Sequence, residues 1–209
     1  MSYKLLALNP STPLIVEKFI RNNVDMLFRD VHCMLRLPMR EIDLSAGCNF
    51  STANALLDLI SGFSALLTPN FDTTRESADK FKEILRNYYP WNLQLPDGST
   101  KERAIEDIYE YFRNPLTHSL GLKTKGNYLV VINKNSMSEA DIEQLEQSAS
   151  SPGPAITYLP RTLNNEKIEQ ITLNIPNFYW GVRQTGTRLS ADNQQMQNIA
   201  SSLIRHGYK

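Results

Sequence analysis

Apolar residues recur at helical spacing from the start of the chain. Val16, Ile20, Val24, Leu27, Val31 and Met34 fall on one face, which predicts a long amphipathic helix. Ser11-Thr12-Pro13 supplies a cap followed by proline at the first helical position, and Pro38 ends the helix. A second helix, Ser51 to Leu67, is apolar nearly all round, through Ala55, Leu56, Leu57, Leu59, Ile60, Phe63, Ala65, Leu66 and Leu67. That is the pattern of a helix central to a bundle. Gly62 within it suggests close approach by a neighbouring helix. Thr73-x-x-Glu76 reads as a capping box opening a third helix, with Ala78, Phe81, Ile84, Leu85 and Tyr88 inward and Pro90 as its stop. After the turn Pro96-Asp97-Gly98, a second box, Ser99-x-x-Glu102, opens a fourth helix.

The period then changes. Tyr128-Leu129-Val130-Val131-Ile132 reads as a strand, and Ile171, Leu173 and Ile175 alternate with polar residues as a second. Ser136 to Gln147 reads as a short polar helix or loop, and Ser148 to Pro154 as a flexible connector. A final helix carries Met196, Ile199, Ala200, Leu203 and Ile204 at helical spacing. The expected fold class is mainly α: a bundle of at least four helices with an appended two-stranded antiparallel β hairpin and a C-terminal helix.

The chain has 209 residues, 41% of them hydrophobic and 21% charged, which fits one globular domain. Twenty-two basic residues balance 22 acidic ones, so overall charge gives no support for non-specific nucleic-acid binding. Cys33 and Cys48 are the only cysteines, and His32, His118 and His206 are scattered. No metal-ligand spacing results, and neither a metal nor a cofactor is expected. There is no phosphate loop such as G-x-x-x-x-G-K. Two free thiols and no apolar run read as a membrane span imply a cytoplasmic protein.

The chemistry concentrates at Arg113-Asn114-Pro115-Leu116-Thr117-His118, the end of the fourth helix. An imidazole moves protons near neutral pH, and a guanidinium grips a phosphate with a permanent charge. In a regular helix Asn114 and His118 share a face, whereas Arg113 and His118, five apart, point well away from each other. Pro115 disfavours helical geometry at Asn114. Either Asn114 caps a new short helix and the break re-aims Arg113, or Arg113 reaches the histidine of a second subunit.

This stretch resembles the HEPN superfamily signature of an arginine, four to six intervening residues and a histidine, often with a polar residue after the arginine. Arg113, Asn114 and His118 match those positions. The resemblance extends to topology, with residues 11–122 as the helical core of a single 1–209 domain and residues 123–209 similar to an extension of some bacterial members. It implies a homodimer whose two motifs meet in a cleft and cut RNA without metal, as a metal-independent endoribonuclease. His118 would be general base or acid, Arg113 would stabilise the transition state, and Asn114 would orient phosphate or imidazole. DNA, lacking the 2′-hydroxyl, should not be cut. Other members bind nucleotides or proteins without catalysis, or partner a toxin in toxin–antitoxin and defence systems, and that is the alternative here.

Other polar groups have plainer readings. Asp58 interrupts the apolar second helix; if buried it needs a partner, and Arg113 is a candidate, which would make Asp58 a supporting residue of the site, or it faces a solvent groove. His32 and Cys33 are adjacent on a helix and do not converge, so helix packing is expected of His32. His206 suits a helix C-terminus. Phe178-Tyr179-Trp180 with Arg183 reads as core or dimer interface before base stacking. Glu139, Asp141, Glu143 and Glu146 read as a solvated acidic face, with Lys123 and Lys125 the nearest bases after the motif.

Overall fold

The computed structural model describes residues 6–37, 48–68, 71, 76–118 and 127–208, with Thr117 and His118 described by their backbone alone. The first helix runs as α1 (Leu14–Phe19), a π-helical segment (Ile20–Val24) and α2 (Asp25–Arg36). The π turn explains a departure from the expected stripe. It inserts one residue into the winding, so the buried positions run Val16, Ile20, Val24, Phe28, Val31 and Leu35. Leu27 is 40% exposed instead of inward. Leu37 is extended, as a residue before proline should be, and the helix ends there.

Helix α3 (Asn49–Leu67) is the hub, in contact with α2, with α4 (Ser77–Tyr88), and with the later helices α9 (Ile175–Ser190) and α10 (Asn193–Arg205). Its length and hydropathy would pass for a membrane span, yet Leu56, Leu57, Leu59, Ile60 and Phe63 are buried among neighbouring helices. Gly62 receives no close neighbour: a Cβ there would meet open space. The close approaches fall on α9, where a Cβ on Gly181 would collide with the Tyr89 hydroxyl and the Gln94 amide, and one on Gly186 would press on Leu6 and Phe63.

The Thr73-x-x-Glu76 box lies outside the described residues, and Glu76 stands at the start of α4 without a side-chain cap bond. After a short α5 (Trp91–Gln94), α6 (Lys101–Asp107) starts one residue later than the Ser99-x-x-Glu102 box predicts. Thr100 is its cap, accepting from the Arg103 amide at 3.2 Å. A second π segment (Ile108–Arg113) and α7 (Asn114–His118) continue this helix.

The sheet corrects the expected hairpin. Among the described residues it has three strands in the order β1-β3-β2: β1 (Tyr128–Asn133), β2 (Ile156–Leu163) and β3 (Glu166–Asn174). The two strands read from the sequence, β1 and β3, pair in parallel, with Val130 opposite Ile171. The unforeseen β2 makes the antiparallel hairpin with β3. Asn164 and Asn165 form its turn, both at positive φ, as a two-residue hairpin turn with the sheet's twist requires. A parallel pair needs a crossover, and α8 (Glu139–Gln147) lies in it. The crossover also finishes α2. Lys134, fully buried, donates to the Met34 carbonyl at 2.5 Å and the Leu37 carbonyl at 2.8 Å, and the Met137 amide donates to Leu35 at 3.1 Å. These donors satisfy carbonyls left open at a helix end.

Ile175 belongs to α9, not to a strand. Phe178, Tyr179 and Trp180 lie inside that helix and are almost completely buried. The Trp180 indole donates to the Ser148 carbonyl at 3.0 Å. The aromatic triplet is therefore core, and base stacking on it is ruled out by burial. On α10, Met196, Ile199, Ala200 and Leu203 are inward as expected, but Ile204 is 63% exposed.

The two glycine environments give opposite expectations. Gly181→Ala forces Tyr89 and Gln94, both buried, to shift, and should cost about 1–3 kcal/mol. Gly62→Ala meets no neighbour and should raise stability by about 0.5–1 kcal/mol through helix propensity. Urea unfolding of both variants beside wild type measures the two signs.

Candidate functional site

The second π segment is set by Pro115. A proline inside a helix withholds one N–H and crowds the carbonyl four residues back. Here the helix widens instead of breaking: the Asn114 amide donates to the Tyr109 carbonyl, five residues back, and Asn114 keeps helical angles of φ −64° and ψ −48°. Asn114 is therefore not the cap of a new helix after a break. This removes one of the two routes by which Arg113 could be re-aimed towards His118 of the same chain. Asn114 and His118 begin and end α7, one turn apart along the backbone.

Ile108 and Phe112 anchor the π segment in the core, which leaves Arg113 half-buried at its end. Its guanidinium lies 5.6 Å from the Tyr109 ring centre and 6.0 Å from that of Phe81. These two rings are themselves in tilted contact at 5.8 Å. An arginine at the outer limit of cation–π range over two aromatics gains positional restraint. Asn114 is also half-buried, and Pro115 is buried.

Asp58 projects from the exposed edge of α3, with Asn54 donating to its Oδ2 at 2.9 Å. Partial burial pushes its carboxyl above the usual carboxylate range, and the nearby positive charge of Arg113 pulls it back down. The structure thus brings Asp58 and Arg113 into one electrostatic neighbourhood.

The remaining candidates resolve differently. His32 does pack helices, by a polar contact the sequence reading did not anticipate. Its Nδ1 lies 3.0 Å from Glu146 and its Nε2 2.9 Å from Glu139, both on α8. Arg36 adds an ion pair to Glu139 at 3.0 Å, and the buried Tyr179 hydroxyl donates to Glu146. Glu139 and Glu146 are therefore not simply a solvated face. Their seven-residue spacing, two turns of one helix face, is the signal that could have found them. Cys33 is exposed and apart from this network. His206 acts at its helix end, Nδ1 against the Ser202 carbonyl at 2.8 Å. Among the described residues no group of three or more His, Cys, Asp or Glu side chains is placed to hold a metal ion.

The Asp58–Arg113 coupling has a measurable sign. Asp58 should titrate above an ordinary aspartate, and Arg113→Met should raise it further by removing the charge that opposes burial. A carboxyl raised in the folded state favours folding at low pH. Stability from this group should decline as pH rises from the ordinary aspartate range through the raised value, more steeply in Arg113→Met. Carboxyl 13C NMR titration of both proteins checks this; a downward shift in the variant contradicts the coupling. Compared with known proteins, the chain matches no family model, no curated protein and no solved structure.

Proposed function

We propose that this chain is a HEPN-like, metal-independent endoribonuclease, working in the cytoplasm as a homodimer whose two Arg113–Asn114–His118 motifs form one composite site. The observation that carries the reading is the local geometry of Arg113 and Asn114. The helix runs through Pro115 unbroken, Arg113 rests on Tyr109 and Phe81, and Asn114 leads into the turn that ends at His118. In a regular α-helix, positions five apart differ by about 140° around the axis. The arrangement therefore favours Arg113 of one copy working with the histidine of the other.

In this mechanism His118 removes the proton from a ribose 2′-hydroxyl. The 2′-oxygen forms a bond to phosphorus, and the bond from phosphorus to the 5′-oxygen breaks. The departing oxygen takes a proton from the histidine of the opposite motif. Arg113 holds the phosphate oxygens and stabilises the charge that builds on them. Asn114 orients the phosphate or the imidazole. The products are a 2′,3′-cyclic phosphate and a free 5′-hydroxyl, so DNA is not a substrate.

One observation favours a second reading. Asp58 shares electrostatic space with Arg113, and a carboxylate beside the arginine suits a non-catalytic module. Such a module would bind a nucleotide or a protein, for instance as a toxin–antitoxin or defence component. The deciding experiment incubates a mixed-sequence single-stranded RNA with wild type and with folded His118→Ala and Arg113→Ala, all in EDTA. The nuclease reading expects cleavage leaving 2′,3′-cyclic ends, reduced about 10²–10⁴-fold in His118→Ala. No cleavage by wild type, or equal cleavage by wild type and His118→Ala, rejects it in favour of the binding module.

A further inference from the structure

One side of α3 carries the exposed Asp58 and Gly62 and the half-buried Leu66, spaced four apart and hence stacked along one face. Between this stripe and the first helix lies an apolar cavity of about 320 Å³. Phe19 and Val24 form its wall on the first helix, and Phe63 and Leu66 its wall on α3. One end is closed by Tyr208, whose ring meets Phe19 edge-on at 5.5 Å. The volume is at the lower end of the range for small-molecule sites and fits a compact, single-ring or branched-aliphatic body.

Among the described residues lining this cavity, Asp58 is the charged one. Its Oδ2 accepts from Asn54, and Asn23, the other side chain with full hydrogen-bonding capacity on the wall, already donates to the Phe19 carbonyl at 2.8 Å. A negative group at the edge of an apolar chamber selects for a ligand with a hydrocarbon body and one positive end. Gly62 makes the chamber possible: its missing side chain leaves open space where a Cβ would stand.

We propose that this cavity is a binding site for a small apolar primary amine, with its hydrocarbon body between Phe19, Phe63 and Leu66 and its ammonium group on the Asp58 carboxylate. The inference does not depend on nuclease activity, and it is tested without RNA.

The probes are 2-phenylethylamine and its neutral counterpart 2-phenylethanol, titrated into the 209-residue chain by calorimetry and by amide NMR. The expected result is saturable binding of the amine at millimolar concentration or tighter, with the alcohol about tenfold weaker. Asp58→Asn should bring the two probes to equal affinity. Gly62→Leu, which fills the chamber from open space, should abolish binding of both while its unfolding midpoint stays at or above that of wild type. Equal binding of amine and alcohol to wild type overturns the proposal, as does amine binding that survives Gly62→Leu. Absence of amine binding together with a concentration-dependent dimer that Gly62→Leu dissociates also overturns it, and assigns the stripe to a second copy of the chain.

Discussion

The covering of α3 is the constraint from which the rest of this structure follows. A helix that is apolar nearly all round has to be enclosed, and it is enclosed here by α2, α4, α9 and α10 together. Two of these neighbours show the adaptation this required. The first helix shifts its stripe through a π turn so that Phe28 and Leu35 face inward. Helix α9 carries Gly186 where Phe63 of α3 comes within 3.1 Å of a built Cβ. Among the described residues the enclosure is incomplete on one side, and that side holds Asp58, the one carboxylate on the helix. Asp58 lines an apolar chamber and feels the positive charge of Arg113.

The helical half of the fold was legible because strong periodicity and proline stops mark it. The reach of α3, the stop before Pro38 and the inward residues of α10 other than Ile204 follow directly from the pattern. What the sequence concealed had specific physical causes. A π turn adds one residue to the winding without any residue that announces it, so Leu27 and Met34 looked inward and are not fully so. Parallel pairing of β1 and β3 cannot be read from two alternating segments, because direction is decided by the crossover between them. Strand β2 carries Pro160 and a mostly exposed face, so it lacks clean alternation. Helix α9 has two glycines and a run of aromatics, which resembles a loop before a helix. Those glycines record instead how closely Tyr89, Gln94 and Leu6 approach.

At the candidate site, a carboxylate in an apolar helix pointed to Arg113 as one possible partner of Asp58, and their electrostatic coupling follows from α3 lying against the end of the fourth helix. The response to Pro115 was not legible. A proline after asparagine predicts a break, but the helix accommodated it with a wide turn whose amide reaches back five residues. The acidic residues of α8 show the opposite limit. Their charge pattern reads as solvated because the partners, His32 and Tyr179, are far away in sequence. A polar residue's role depends on what is folded against it, and long-range partners leave no local trace.

Cysteine accessibility along α3 tests the account's central claim most directly. In a background with Cys33 and Cys48 replaced by serine, single cysteines at positions 56, 58, 60 and 62 are exposed to a thiol reagent under native conditions. An incompletely covered hub predicts fast labelling at 58 and 62, and labelling at 56 and 60 that waits for unfolding. Slow labelling at 58 and 62 would mean that the stripe is covered, and fast labelling at 56 and 60 that α3 is not the enclosed centre of the fold. Either result would contradict the account.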